Sequence, residues 1–75
     1  MKKMINLKNG YQAEFDIEPD ENGFHAFCPA FKGLHVGGET EEKALKNAED
    51  AAIVFIESYM KHNEPLPLGI KETKP

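Results

Sequence analysis

The stretch Tyr11-Gln12-Ala13-Glu14-Phe15-Asp16-Ile17-Glu18 decides the fold. Apolar and polar residues alternate along it without a break, which is the period of a half-buried β-strand. Tyr11, Ala13, Phe15 and Ile17 belong to a dry face, and Gln12, Glu14, Asp16 and Glu18 to a wet one. Such a strand needs strand partners along its edges and a second layer over its apolar side, and the flanking sequence supplies both.

On the C-terminal side, Pro19-Asp20-Glu21-Asn22-Gly23 is dense in turn formers. It predicts a loop from which Phe24 to Cys28 returns antiparallel. Pairing Ile17 with Phe24 sets Phe15 opposite Ala26 and Ala13 opposite Cys28, so all six share the dry face. His25 and Phe27 then join the carboxylates outside. On the N-terminal side, Met4 to Leu7 predicts another strand. A two-residue Asn9-Gly10 loop would pair Lys8 with Tyr11 and push Asn6 onto the dry face. A three-residue loop, Lys8-Asn9-Gly10 with Gly10 left-handed, pairs Leu7 with Tyr11 and Ile5 with Ala13; the apolar pattern selects it.

Pro29 cannot continue a central strand, so Pro29 to Gly33 reads as a loop. Leu34 to Glu39 reads as a short strand. Thr40 is a good helix N-cap, with Glu41 and Glu42 in the first turn, where the helix dipole favours negative charge. The helix should run from about Glu41 to Met60. Its apolar stripe is Ala44, Leu45, Ala48, Ala51, Ala52, Phe55, Ile56 and Tyr59, at three- and four-residue spacing. Ile53 and Val54 fall off the stripe and are the candidate contact with a second subunit. Pro65-Leu66-Pro67-Leu68 is extended, Leu68 to Glu72 offers a last strand, and Thr73-Lys74-Pro75 reads as a frayed tail. The predicted class is α+β: a small antiparallel-rich sheet of three to five strands covered on one face by one long helix, in the order β(β)ββ-α-β, with residues 1–75 forming one domain.

Composition narrows the function. A chain of 75 residues has a marginal core, and self-association is one way to support it. The single cysteine, Cys28, excludes an internal disulfide. There are 13 acidic residues against 9 basic ones, a net charge of −4, and every basic residue is a lysine. Without arginine, and acidic overall, the domain is unsuited to gripping nucleic acid directly, whereas a basic protein is a reasonable partner. His25, His35 and His62 show no metal-ligand spacing, so no metal or cofactor is expected. No apolar run approaches the roughly 20 residues that span a bilayer, and no leader follows Met1-Lys2-Lys3; a cytoplasmic protein is expected.

Catalytic machinery is not legible. Ser58, the one serine, lies within the predicted helix with no elbow motif around it. Cys28 alternates onto the dry face, where a thiol is usually inert. Gly37-Gly38 lacks the spacing and the lysine of a phosphate loop. Glu14, Asp16 and Glu18 follow one another along a single strand at roughly 6.6 Å intervals, rather than converging from several elements as a two-metal nuclease requires. A non-catalytic role is expected, with Glu14, Asp16, Glu18, His25 and Phe27 as the candidate partner-binding face. An outward Phe beside a carboxylate row is unusual for a merely solvated surface, and an apolar anchor with a charged surround suits a binding face.

The run Gly23-Phe24-His25-Ala26-Phe27-Cys28-Pro29-Ala30-Phe31-Lys32-Gly33 resembles the HicB-like antitoxin family, whose domain carries G-[YF]-x-A-x-x-P-x-x-x-G. The family continues with G-[DE]-T-x-E-E-A-L-x-N-A, and this chain has Gly38-Glu39-Thr40-Glu41-Glu42-Lys43-Ala44-Leu45-Lys46-Asn47-Ala48. Asn63-Glu64-Pro65-Leu66-Pro67-Leu68 resembles the tail, of the form N-E-x-x-P-x-P, that often follows the family's helix. Lys43 departs from the usual Glu, and Ala30-Phe31-Lys32 from the usual D-L-P. The resemblance implies a partial ribonuclease H-like fold without metal-binding carboxylates. It also implies a role: neutralising a HicA-type toxin, a small basic protein that cleaves messenger RNA, by covering its RNA-binding surface. Many members add a C-terminal DNA-binding domain; none is expected within residues 1–75, so operator binding is not carried over. The alternatives are an orphan oligomeric binding module of the same family and, more remotely, a degenerate nuclease.

Overall fold

Six elements follow the chain: β1 (Lys2–Asn6), β2 (Tyr11–Asp20), β3 (Gly23–Phe27), β4 (His35–Gly38), α1 (Glu41–Lys61) and β5 (Lys71–Glu72). They come from a computed structural model, which describes residues 1–73. The sheet is antiparallel in the order β1-β2-β3-β4, with β5 also pairing with β2. The α+β class and the element order are those the alternation predicts.

The first hairpin takes the three-residue loop. Ile5 faces Ala13, and the Leu7 N–H donates to the Tyr11 carbonyl at 2.7 Å. Gly10 closes the turn with φ 89°, a left-handed conformation that most side chains resist. The second hairpin differs from expectation by two residues: Ile17 faces Ala26, and Phe24 faces Pro19. Strand β2 runs on to Asp20, so only Glu21 and Asn22 form the loop, and the Asn22 N–H donates to Asp20 Oδ1 at 2.9 Å. Pro19 is tolerated inside β2 for a geometric reason. Alternate residues direct their backbone groups to the same edge, and the Ile17 N–H faces β1, donating to the Met1 carbonyl. Pro19 therefore turns its missing donor to the same edge, beyond the point where β1 has begun. A two-residue shift leaves every side chain on its expected face.

Helix α1 begins where Thr40 Oγ1 accepts the Lys43 N–H at 3.1 Å. It ends with Asn63 left-handed at φ 55°, the Asn63 N–H donating to Met60 O at 3.1 Å and the Glu64 N–H to Tyr59 O at 2.9 Å, a Schellman closure. Ala44, Ala48, Ala52 and Ile56 form its fully buried row. Small side chains let the helix axis lie close to the sheet. At the closest point Gly38 has no alternative, because a Cβ there would collide with the backbone nitrogen of Ala44. Beneath the helix lie Ala13, Phe15, Ile17, Ala26, Cys28 and Leu34. Phe31, from the Pro29–Gly33 loop, closes one end, its ring 5.3 Å from that of Phe55 and 5.5 Å from that of Tyr59.

Three expectations about the ends of elements are corrected. The fourth strand starts at His35, because the Phe31 carbonyl accepts the Leu34 N–H in the preceding turn. The last strand is only Lys71–Glu72, since Gly69 turns the chain at φ 99° to bury Ile70. Thr73 is held rather than frayed: its N–H and its hydroxyl both donate to the Gly10 carbonyl at 2.9 Å. Lys74 and Pro75 lie outside the described residues. Among the described residues no helix is long and apolar enough to cross a membrane.

Candidate functional site

Helix α1 covers only the face that carries Ala13, Phe15 and Ile17. Among the described residues nothing covers the opposite face of the sheet, and strand register arranges its side chains in transverse rows. Lys2, Asp16, Phe27 and His35 form one row, and Glu18, His25 and Gly37 the next. Glu14 lies opposite Met4 on the other side of the first row. All five residues expected on the binding face, Glu14, Asp16, Glu18, His25 and Phe27, therefore share it.

Aromatic rings form the centre of this face. Phe27 stacks on His35 with centroids 5.4 Å apart and planes 19° apart. His25 tilts against both, 6.0 Å from Phe27 and 5.1 Å from His35. His25 Nε2 lies 3.0 Å from His35 Nδ1, one of the pair donating and the other accepting. His35 is a member of the face that sequence reasoning missed. Its signal was the alternation of Leu34 and Val36 inward around it, hidden by the glycines that follow.

The carboxylate row is less open than alternation alone suggests. The Met1 ammonium donates to Asp16 Oδ1 at 3.0 Å, to Glu18 Oε1 at 3.3 Å and to the Ile17 carbonyl at 3.0 Å. Its bond to Asp16, seconded by Glu18, raises the amine above its ordinary value. Asp16 is left 19% exposed and Glu18 58%. Lys2, opposite Asp16, is a second cation of the chain's own on this face. Glu14 takes part in no ion pair among the described residues.

Glu14 also marks a gap in the sheet. Its backbone N–H and C=O point away from β1, by the same alternation that turns Ile17 toward it. On that side β3 pairs only from Asp16 onward and β5 only with Tyr11 and Gln12. Pro29 ends β3 there, having no N–H to offer. The result is a cleft of about 210 Å³ lined by Glu14, Pro29, Ala30, Leu68 and Gly69, with Leu68 97% exposed at its rim.

The two helix residues proposed as a subunit contact part company. Ile53 is partly buried and packs against the chain's own core, so it is removed from that assignment. Val54 remains 62% exposed and, with Phe55, Ser58 and Tyr59, borders a shallow depression of about 320 Å³. A wheel at 100° per residue placed both off the stripe, but the sheet's width brings Ile53 within reach. Cys28 faces the core, where burial pushes its thiol up from the ordinary cysteine value. Among the described residues no group of three or more histidine, cysteine or acidic side chains could hold a metal ion.

What the fold defines is a two-layer α+β domain with one covered and one bare sheet face. The chain belongs to the UPF0150 family. A UPF0150 protein of Thermoplasma acidophilum is 40% identical over 52 residues, which are 68% of this chain and 75% of that protein. A UPF0150 protein of Synechocystis sp. is 43% identical over 47 residues, 63% of this chain and 60% of that protein, so the chain spans less than two thirds of its length. One of Helicobacter pylori is 42% identical over 40 residues, 53% of this chain and 56% of that protein. No family model and no solved structure matches the chain.

Proposed function

We propose that the protein is a HicB-like antitoxin, which acts in the cytoplasm by binding and not by catalysis, and whose bare sheet face covers the RNA-binding surface of a small basic HicA-type ribonuclease. The observation that carries this reading is the uncovered face itself, with Phe27 half-buried at its centre and carboxylates beside it. An aromatic ring on the solvent side of the sheet, packed against His25 and His35 but not fully buried, has apolar surface left for a partner to cover. Glu14, in no ion pair among the described residues, and Glu18, largely exposed, supply charge for a cationic surface. Asp16 contributes once a partner's lysine or arginine competes with the Met1 ammonium. Charge complementarity of this kind speeds association and makes it salt-sensitive. The carboxylates follow one strand instead of converging, which supports binding over hydrolysis.

Co-expression with a small basic HicA-type toxin tests the proposal. Wild-type protein should rescue growth, and Glu14→Lys with Glu18→Lys should abolish rescue while circular dichroism shows an unchanged fold. Rescue that survives the double reversal sinks the site assignment. The reading includes self-association through the Val54 side of the helix; sedimentation that gives a monomer at all concentrations removes that part alone.

A further inference from the structure

We propose that His25 and His35 form a two-ligand chelating site for a borderline divalent transition metal, of the Zn²⁺, Ni²⁺ and Cu²⁺ class, on the bare face of the sheet. Imidazole nitrogen is a preferred ligand for these ions. The two residues are ten apart in sequence and show no ligand spacing; strand pairing brings them together. In register His25 faces Gly37, while His35 faces Phe27. Gly37 presents no side chain, so the His25 ring leans across the vacant position toward His35. Packing does not require that vacancy, because a Cβ on Gly37 would meet only the Phe24 carbonyl, at an ordinary 3.5 Å. Phe27 holds the other ring by stacking on it.

The resulting nitrogen separation is 3.0 Å. Two imidazoles bound tetrahedrally, at metal–nitrogen distances of about 2.0–2.1 Å, stand roughly 3.3 Å apart. The nitrogens need to part by a few tenths of an ångström, and each ring to swing by roughly 35°, so that both lone pairs converge on the ion instead of facing each other. In the metal-free state one ring donates its N–H to the other. When the ion enters, the donating ring takes its other tautomer, the hydrogen moving to the far nitrogen, and both lone pairs turn to the metal. Neutral rings lose no net proton in this exchange, whereas protonated rings must lose theirs, so acid competes with the metal. Water fills the remaining positions, and Glu18 stands next to His25 on the adjoining strand. Two protein ligands at an exposed position make an open, exchangeable site, distinct from a closed structural zinc site. Cys28 faces the core and takes no part.

The experiment is a ZnCl₂ titration of the full chain at neutral pH, followed by NMR of the imidazole nitrogens. His62 is the internal control: it stands alone at the helix end, with Nδ1 2.8 Å from the Ser58 carbonyl. One equivalent of zinc should shift both His25 and His35 and leave His62 in place. His25→Gln or His35→Gln alone should weaken binding by at least about tenfold, because the second ring otherwise binds intramolecularly at high effective concentration. Equal responses from all three histidines, or undiminished affinity in either variant, overturn the site. Should a variant misfold, the residue-specific shifts of the wild-type chain decide the matter by themselves.

Discussion

The two faces of β2 share one backbone and differ in everything that follows from their neighbours. On the helix side, Ala13 and Phe15 are 0% exposed and Ile17 is 1% exposed. On the bare side, Asp16 and Glu18 are 19% and 58% exposed and are bonded to the chain's own amino terminus. A side chain removed from the first face leaves a hole that the helix cannot follow into. One removed from the second leaves a place that water fills. Stability is therefore concentrated on one side, while the other is free to carry recognition, which explains how a chain this short hosts both.

The largest test of that contrast is Phe15→Ala. It should destabilise the fold by about 3–5 kcal/mol in urea unfolding, a large share of the roughly 5–15 kcal/mol that holds a typical domain. A loss under about 1 kcal/mol would mean that the covered face is not the stabilising one. Next comes Gly38→Ala, which forces a methyl group against the backbone of Ala44 and should lower stability by about 1–3 kcal/mol in the same assay. An unchanged midpoint would show that the helix does not sit as closely on β4 as described. Phe27→Ala should cost about 1–2 kcal/mol, less than Phe15→Ala because the ring is only partly buried. If it costs as much as Phe15→Ala, the faces are not distinct in kind. The smallest effect belongs to the Met1 amine. Its folded value is raised, so its bond to Asp16 and Glu18 is complete below the ordinary value of 8.0 and is lost as pH climbs through the raised one. Melting temperature should drift slightly downward over that window, and N-terminal acetylation should abolish the drift; a drift that persists after acetylation assigns it to another group.

The same contrast explains what the sequence made legible. Facing is a property of period two, so the division of Tyr11 to Glu18 into two sides, and the gathering of Glu14, Asp16, Glu18, His25 and Phe27 on one of them, could be read directly. Register is not such a property. Shifting β3 by two residues keeps apolar opposite apolar, and only the length of the turn chooses between the alternatives; Pro19 looked like the start of a loop and is a strand residue instead. Phe31 carries no period because it sits in a loop, yet it is 2% exposed and closes the core. His35 lies in a strand of four residues, where the alternation of Leu34 and Val36 around it is cut short by Gly37 and Gly38. The Met1 ammonium on Asp16 was hidden for a different reason: it is a contact of the backbone terminus, and no side-chain periodicity encodes it.

The missing stitch at Glu14 divides one edge of the central strand into two separately fastened parts, while β1 runs unbroken along the other. The stretch from Asp16 to Asp20 is zipped to β3, and Tyr11 and Gln12 are zipped to a ribbon of two residues secured by Thr73. A two-residue ribbon opens far more readily than a hairpin, so the carboxyl-terminal segment can peel away while the hairpin stays shut. Deuterium should then enter the amides of Glu14 and Gln12 well before those of Asp16 and Glu18, giving a leak in the middle of a sheet where one would look for the slowest exchange.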